Sequence, residues 1–343
     1  MSLDLPLVWA GIIAIGVMMY VLLDGFDLGI GILFPFAETP EQRTVMMDTV
    51  APVWDGNETW LVLGGGGLFA AFPLAYSALF PALYVPILLM LMALIFRGVA
   101  FEFRLRGRRA GKRFWTAAFS LGSLVATFAQ GLVLGGFIQG VKLSGTAFAG
   151  GPFDWFSAYS LIVAVGLVAG YALLGATWLV WRTEGALHAR ARAWAWTAAA
   201  AVAVLLVVVS VATLLVHPAI AARWGVAGDG ALDIAKLAPK LPIPLLGAVG
   251  LAIVAVSLRR GAHLWPFVGT ILVFASGYLG LAVGFFPDIV PYGMTFRQAA
   301  NPDNTLALLL VGAVILLPAI IGYSLWVYWI FRGKVGADAQ LYH

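Results

Sequence analysis

The sequence predicts an all-α integral membrane protein of nine transmembrane helices, with its N-terminus outside and its C-terminus in the cytoplasm. Three observations carry this reading. Of 343 residues, 62% are hydrophobic and only 10% charged, against roughly a quarter charged in soluble domains, and mean hydropathy is +0.97. Uncharged stretches of about 20 residues, the length that crosses a bilayer, recur along the whole chain. The loops between them alternate between basic and near-neutral, the pattern that orients membrane proteins.

The first span is 5–23. It is too long for the apolar core of a signal peptide and has no basic leader, so it is expected to be retained. The stretch 59–96 holds two helices, split by Pro73 and Pro81 with Ala75, Tyr76 and Ser77 as a tight turn. The remaining spans are 114–141, 155–181, 193–216, 241–258, 264–287 and 304–331. Only 241–258 is short, and Pro242 and Pro244 suit its first turn. The single membrane domain, 1–343, then divides into a first four-helix half over 5–141, a second over 155–287, and a peripheral ninth helix over 304–332. A faint internal echo fits that division: Tyr20-Val-Leu-Leu-Asp-Gly25 resembles Tyr171-Ala-Leu-Leu-Gly-Ala176.

The charges test the count. Arg104, Arg106, Arg108, Arg109, Lys112 and Arg113 follow the third span. Arg182, Arg190 and Arg192 stand against Glu184 after the fifth, Arg259 and Arg260 after the seventh, and Arg332 and Lys334 after the ninth. The segments 142–154, 223–240 and 288–303 are close to neutral. The basic loops are therefore expected in the cytoplasm. Only 38–48, mildly acidic, departs from the pattern. The net charge of +4 is an orientation signal and does not point to nucleic acid. With no cysteine, disulfides and thiolate-bound clusters are excluded.

Five carboxylates interrupt the apolar background: Asp24, Asp27, Asp55, Glu58 and Glu102. A charge in lipid costs a few kcal/mol or more, so a chain that keeps several has a use for them. Counting 20 residues inward places Asp24 and Asp27 at the cytoplasmic edge of span one, three apart on one helix face. Asp55 and Glu58 reach the same edge at the start of span two, and span three ends there with Arg97, Glu102 and Arg104. Asp55 and Glu58 suit a helix N-terminus, and Arg97 and Arg104 suit pairing with Glu102 or snorkelling to the interface. Asp24 and Asp27 are different. They lie near a helix C-terminus, where the dipole opposes them, and Gly25, Gly29 and Gly31 imply close packing. Carboxylates at such a depth are what a proton inlet needs.

Other residues read more plainly. Gly64 to Gly67 suit tight helix packing and, lacking a following Lys or Ser/Thr, do not form a phosphate loop. His188, His217, His263 and His343 lie in loops, at span ends or at the C-terminus, none placed to ligate a haem across a bundle. Met18-Met19 and Met46-Met47 suit packing, and the 13 tryptophans mostly an interfacial belt. No haem or metal is expected in this chain.

Four stretches carry a family resemblance: Leu23-Asp-Gly-Phe-Asp-Leu-Gly-Ile-Gly31, Ala51-Pro-Val-Trp-Asp-Gly-Asn-Glu-Thr-Trp-Leu61, Leu68-Phe-Ala-Ala-Phe-Pro73 and Phe96-Arg-Gly-Val-Ala-Phe-Glu-Phe-Arg104. They resemble subunit II of the cytochrome bd quinol oxidases, and the Trp-Asp-Gly-Asn-Glu-Thr-Trp form resembles the cyanide-insensitive branch. The resemblance is densest in the first third, with Gly185-Ala-Leu-His-Ala-Arg-Ala-Arg192 and Phe286-Pro287 beyond it. It implies a heterodimer in the bacterial inner membrane. Subunit I would carry two haems b, one haem d and the quinol site, and the electrogenic enzyme would reduce dioxygen to water with cytoplasmic protons. It also implies two four-helix bundles with a peripheral helix, and a proton path that uses Asp27 and Asp55, with Asp24 and Glu58 as lesser members. Membrane lipids and quinone are the other expected partners. The resemblance leaves room for a quinone bound in this subunit and for a small single-span third subunit.

Two other classes share some of these features. A proton-coupled secondary transporter also has intramembrane carboxylates and glycine-interrupted helices, but there they belong at the midplane and here they gather at one edge. A purely structural partner would use the carboxylates only to pair with Arg97, Arg104 or a neighbouring subunit.

Overall fold

A computed structural model describes residues 3–106, 109–228 and 230–336, with backbone alone at 105–106 and 109–110. Arg108 of the basic loop and the terminal His343 lie outside the described residues.

The long apolar runs fold as helices. α1 (Leu5–Leu33) starts where Asp4 accepts from Leu7 N–H, and α2 (Pro40–Asp48) is short and mostly polar, burying Met46 and Met47. α3 (Trp54–Ala71), α4 (Pro73–Ala82) and α5 (Tyr84–Arg106) follow with almost no loop, then α6 (Arg109–Gln139). After the hairpin β1 (Leu143–Ser144) and β2 (Ala147–Phe148) come α7 (Ala158–Arg182), opened by a Ser157–Ser160 capping box, and α8 (Gly185–Val216). The short α9 (Pro218–Arg223) and α10 (Ile234–Leu237) lead to α11 (Pro242–Arg260), which Gly261 ends in the left-handed region at φ 73°. α12 (Trp265–Phe285), the hairpin β3 (Asp288–Val290) and β4 (Met294–Thr295), α13 (Phe296–Ala299) and α14 (Asp303–Ile330) complete the chain. Among the described residues, eight of these helices are long and apolar enough to cross a membrane. α3 falls outside that set because it opens with Trp54-Asp55-Gly56-Asn57-Glu58, which lowers its hydropathy. Even so it runs antiparallel to α1, from Asn57 beside Asp27 to Gly67 beside Ile13, along about 20 Å of that helix at 1.5 Å per residue.

α1 is the hub, packed against α3, α6 and α7. Its closest approach is to α7, where a Cβ on Gly29 would lie 1.9 Å from the Tyr171 carbonyl oxygen and one on Gly175 would lie 2.4 Å from Gly29 carbonyl carbon. The two echoing segments meet each other one turn earlier, Gly25 against the Tyr171 and Leu174 side chains. The main core gathers Phe26, Leu28, Ile30, Phe34, Phe119, Tyr171, Trp178 and their neighbours around this contact.

Ion pairs tie each end of the bundle separately. At one end Glu38 pairs with Arg190, Glu184 with Lys334 at 3.0 Å, and Val335 N–H donates to the Arg182 carbonyl at 2.8 Å. At the other, Asp4 pairs with Arg297 at 2.5 Å, Asp288 with Arg223 at 2.6 Å and Asp154 with Lys142 at 3.0 Å. The acidic 38–48 segment, which broke the charge pattern, therefore shares an end with the basic loop that neutralises it.

Two local expectations are corrected. Ala75, Tyr76 and Ser77 are helical, because Pro73 takes the first turn of α4, where a missing N–H costs nothing; the breaks fall at Phe72 and Leu83. α1 does not stop near residue 23 but continues to Leu33, its polar stretch compensated inside the protein and not by water. Three of the 13 tryptophans, Trp9, Trp60 and Trp178, lie in the core, each 5% exposed or less.

Candidate functional site

The extension of α1 carries Asp24 and Asp27 deep into the protein, both fully buried and more than a turn from the helix end. The helix-dipole argument for them therefore fails, while the expected close packing holds at Gly25 and Gly29, which lie against Tyr171. Their partner comes from α5. Arg97 is completely buried and does not snorkel. Its Nη2 lies 3.0 Å from Asp24 Oδ1 and 3.7 Å from Asp27 Oδ2, and its Nη1 lies 3.3 Å from Glu58 Oε2 on α3. The guanidinium sits over the Trp54 and Phe101 rings, 5.2 and 5.5 Å from their centroids, so an aromatic stack shields its apolar side.

Polar neighbours complete the cluster. Asn57 Nδ2 donates to Asp27 Oδ2 at 2.8 Å, and Tyr328 of α14 donates to Asn57 Oδ1 at 2.7 Å. One turn before Asp24, the Tyr20 hydroxyl accepts from Gln130 Nε2 at 2.7 Å, and Tyr171 donates to Gln130 Oε1 at 2.9 Å. The echoing tyrosines of α1 and α7 thus share one glutamine.

The sequence brought seven charged residues together; the structure joins four. Asp24, Asp27, Glu58 and Arg97 form one cluster. Asp55 is exposed in the first turn of α3, one turn nearer the helix end than Glu58 and beyond the packed cluster. Glu102 is exposed on α5. Arg104 is buried but turns to Thr116 Oγ1 at 3.3 Å and Met47 Sδ at 3.2 Å. Asn57 was legible as the polar residue between Asp55 and Glu58. Tyr328, 271 residues away, had no local signal.

The other singled-out residues resolve as follows. Gly64 and Gly67 pack against Val17 and Ile13, whereas Gly65 and Gly66 face open space. His188 and His263 both approach the Val180 carbonyl, at 3.1 and 3.4 Å, and His217 stacks on Tyr292. Among the described residues, no group of three or more histidine or carboxylate side chains converges as metal donors.

A family model described as cytochrome bd terminal oxidase subunit II matches residues 5–331. The chain belongs to that family. Relatives include the cytochrome bd-I ubiquinol oxidase subunit 2 of Escherichia coli (strain K12), 29% identical over 96% of this chain and 95% of that one. The cytochrome bd ubiquinol oxidase subunit 2 of Bacillus subtilis is 28% identical over 95% and 96%. The solved bd oxidase from Geobacillus thermodenitrificans contains a chain that matches at a TM-score of 0.74 and 17% identity, over 97% of this chain and all of its own, and so shares the fold. As a cytochrome bd subunit II family member, the chain is a multi-pass membrane component of an oxidoreductase complex, and the family supports neither the transporter nor any unrelated class.

Proposed function

We propose that this chain is the haem-free subunit II of a quinol:oxygen oxidoreductase in a bacterial inner membrane. It stabilises subunit I, which carries two haems b and a haem d, and it feeds cytoplasmic protons toward the reduction of dioxygen. In this reading the end bearing Glu38, Arg190 and Lys334 faces the cytoplasm, α3 is the ninth crossing, and the two four-helix halves meet at the α1–α7 contact.

One observation carries the proton role. Along a single turn of α3 and across to α1, carboxyl groups step from exposed Asp55 to Glu58, whose side chain is 29% exposed, to fully buried Asp24 and Asp27. Three of them share one guanidinium. With all three ionised the pocket would hold two uncompensated negative charges away from water, which is costly. A pocket so balanced is suited to hold a proton and pass it on. Asp27 Oδ1, buried with no hydrogen-bond partner among the described residues, is a suitable atom to carry it.

The test uses the complex co-purified with its partner. Its redox difference spectrum should show haem b and haem d bands. Asp27→Asn and Asp55→Asn should each lower quinol oxidase turnover about tenfold, the effect of roughly 1.4 kcal/mol on the barrier, with normal haem content. Unchanged turnover in both would remove the proton role and leave the subunit assignment standing. A colourless preparation would overturn the assignment to an oxidase subunit.

A further inference from the structure

We propose that Tyr328, on the outermost long helix, is a positioning residue for Asp27: its hydroxyl holds the Asn57 amide so that the amide NH2 faces the carboxylate. This rests on the proton role proposed for Asp27. α14 otherwise looks like a lipid-facing helix. Leu308, Val311, Leu316 and Leu325 are each more than 60% exposed, and Leu306 is its only buried residue. Tyr328 turns inward nonetheless, its ring edge-on to Trp178 at 6.3 Å. Packing alone would be served by a phenylalanine. The hydroxyl adds a 2.7 Å bond to Asn57 Oδ1, and the same amide donates at 2.8 Å to Asp27 Oδ2.

An amide oxygen only accepts and an amide NH2 only donates. With the tyrosine O–H donating to Oδ1, the NH2 is left pointing at Asp27, an arrangement that favours the carboxylate form. Without the hydroxyl, only the long 3.4 Å bond from Nδ2 to the Leu23 carbonyl opposes a half-turn of the amide that presents Oδ1 to Asp27. That geometry repels a carboxylate but accepts a hydrogen bond from a protonated one. The charged and titratable groups around Asp27 are Arg97 from α5, Asp24 from α1, Glu58 from α3 and Tyr328 itself, with Arg182 of α7 near Tyr328. Of these, only Tyr328 acts through Asn57.

The experiment is Tyr328→Phe in the whole oxidase complex. The expected result is near-parental haem content, a pH profile of turnover displaced toward alkaline pH by about half a unit or more, and a shift of the infrared carboxyl band that Asp27→Asn abolishes. An unmoved profile and band in Tyr328→Phe, while Asp27→Asn slows turnover, would overturn the positioning role and leave the proton reading intact. An Asp27→Asn variant with parental turnover would instead overturn the reading on which it rests. Should Tyr328→Phe fail to assemble, Asn57→Leu interrupts the same relay with the tyrosine in place; absence of the shift there overturns the inference equally.

Discussion

Arg97 illustrates how a single side chain can decide the meaning of three others. On the sequence it is one of several arginines near the end of a span. In the fold its two terminal nitrogens reach Asp24, Asp27 and Glu58, while two aromatic rings cover it. Lysine, a point charge without the fork, is a poor replacement for such a site. Removing one partner of a buried ion pair costs about 3–5 kcal/mol because the other charge is left uncompensated. Arg97→Gln should therefore lower the Tm of the detergent-purified complex and its yield, whereas Asp24→Asn, which keeps shape and removes one negative charge, should lower them less. Equal thermal stability of the two variants would show that the guanidinium is not the cluster's main compensation. Asp55, exposed and one turn away, should perturb stability little whatever it does to turnover.

At the scale of elements, the contact between α1 and α7 is set by backbone meeting backbone. A methyl group at Gly29 has no room beside the Tyr171 carbonyl oxygen, which a helix cannot move without moving as a whole. Overpacking of this kind costs typically about 1–3 kcal/mol. Gly29→Ala should thus destabilise the complex measurably in a thermal melt. Gly277→Ala on α12, with nothing within 4 Å, should leave it at parental stability or slightly above, since alanine is the better helix former. The glycine-rich motif around Gly29 and Gly31 was legible as a close-packing signal. Its partner was not, because the Tyr171 segment shares only an apolar echo with α1, and apolar helices match one another readily. α3 shows the opposite failure. Its polar opening makes it a weak span by composition, yet two of those polar residues, Asn57 and Glu58, are what face the buried cluster.

The whole molecule is polarised between its ends. Basic loops gather at one, where Arg190 also neutralises the acidic Glu38 segment, and near-neutral hairpins and short helices gather at the other. The natural chain has no cysteine, so single introduced thiols report this directly. Lys142→Cys should react with a membrane-impermeant maleimide in intact spheroplasts, while Glu184→Cys should react only after permeabilisation; both native side chains are well exposed, at 75% and 68%. Labelling of both from the same side would overturn the alternation.

By itself the sequence determined the broad class. Long uncharged runs require helices in lipid, because backbone groups there must bond internally. Loop charge alternates along the chain, and the Asp-Gly-Phe-Asp and Trp-Asp-Gly-Asn-Glu-Thr-Trp stretches set four carboxylates in the first third. Only the tertiary structure decided which charges share a site. Depth and partnership depend on where helices end and how they rotate against one another. α1 runs ten residues past Leu23, where its uncharged run ends, and so buries Asp24 and Asp27 inside the bundle. The packing of α3 against α1 then left Asp55 exposed at the helix start and brought Asn57 to Asp27. Tyr328 reached them from the far end of the chain because hydrogen bonds follow proximity in space, which local sequence does not encode.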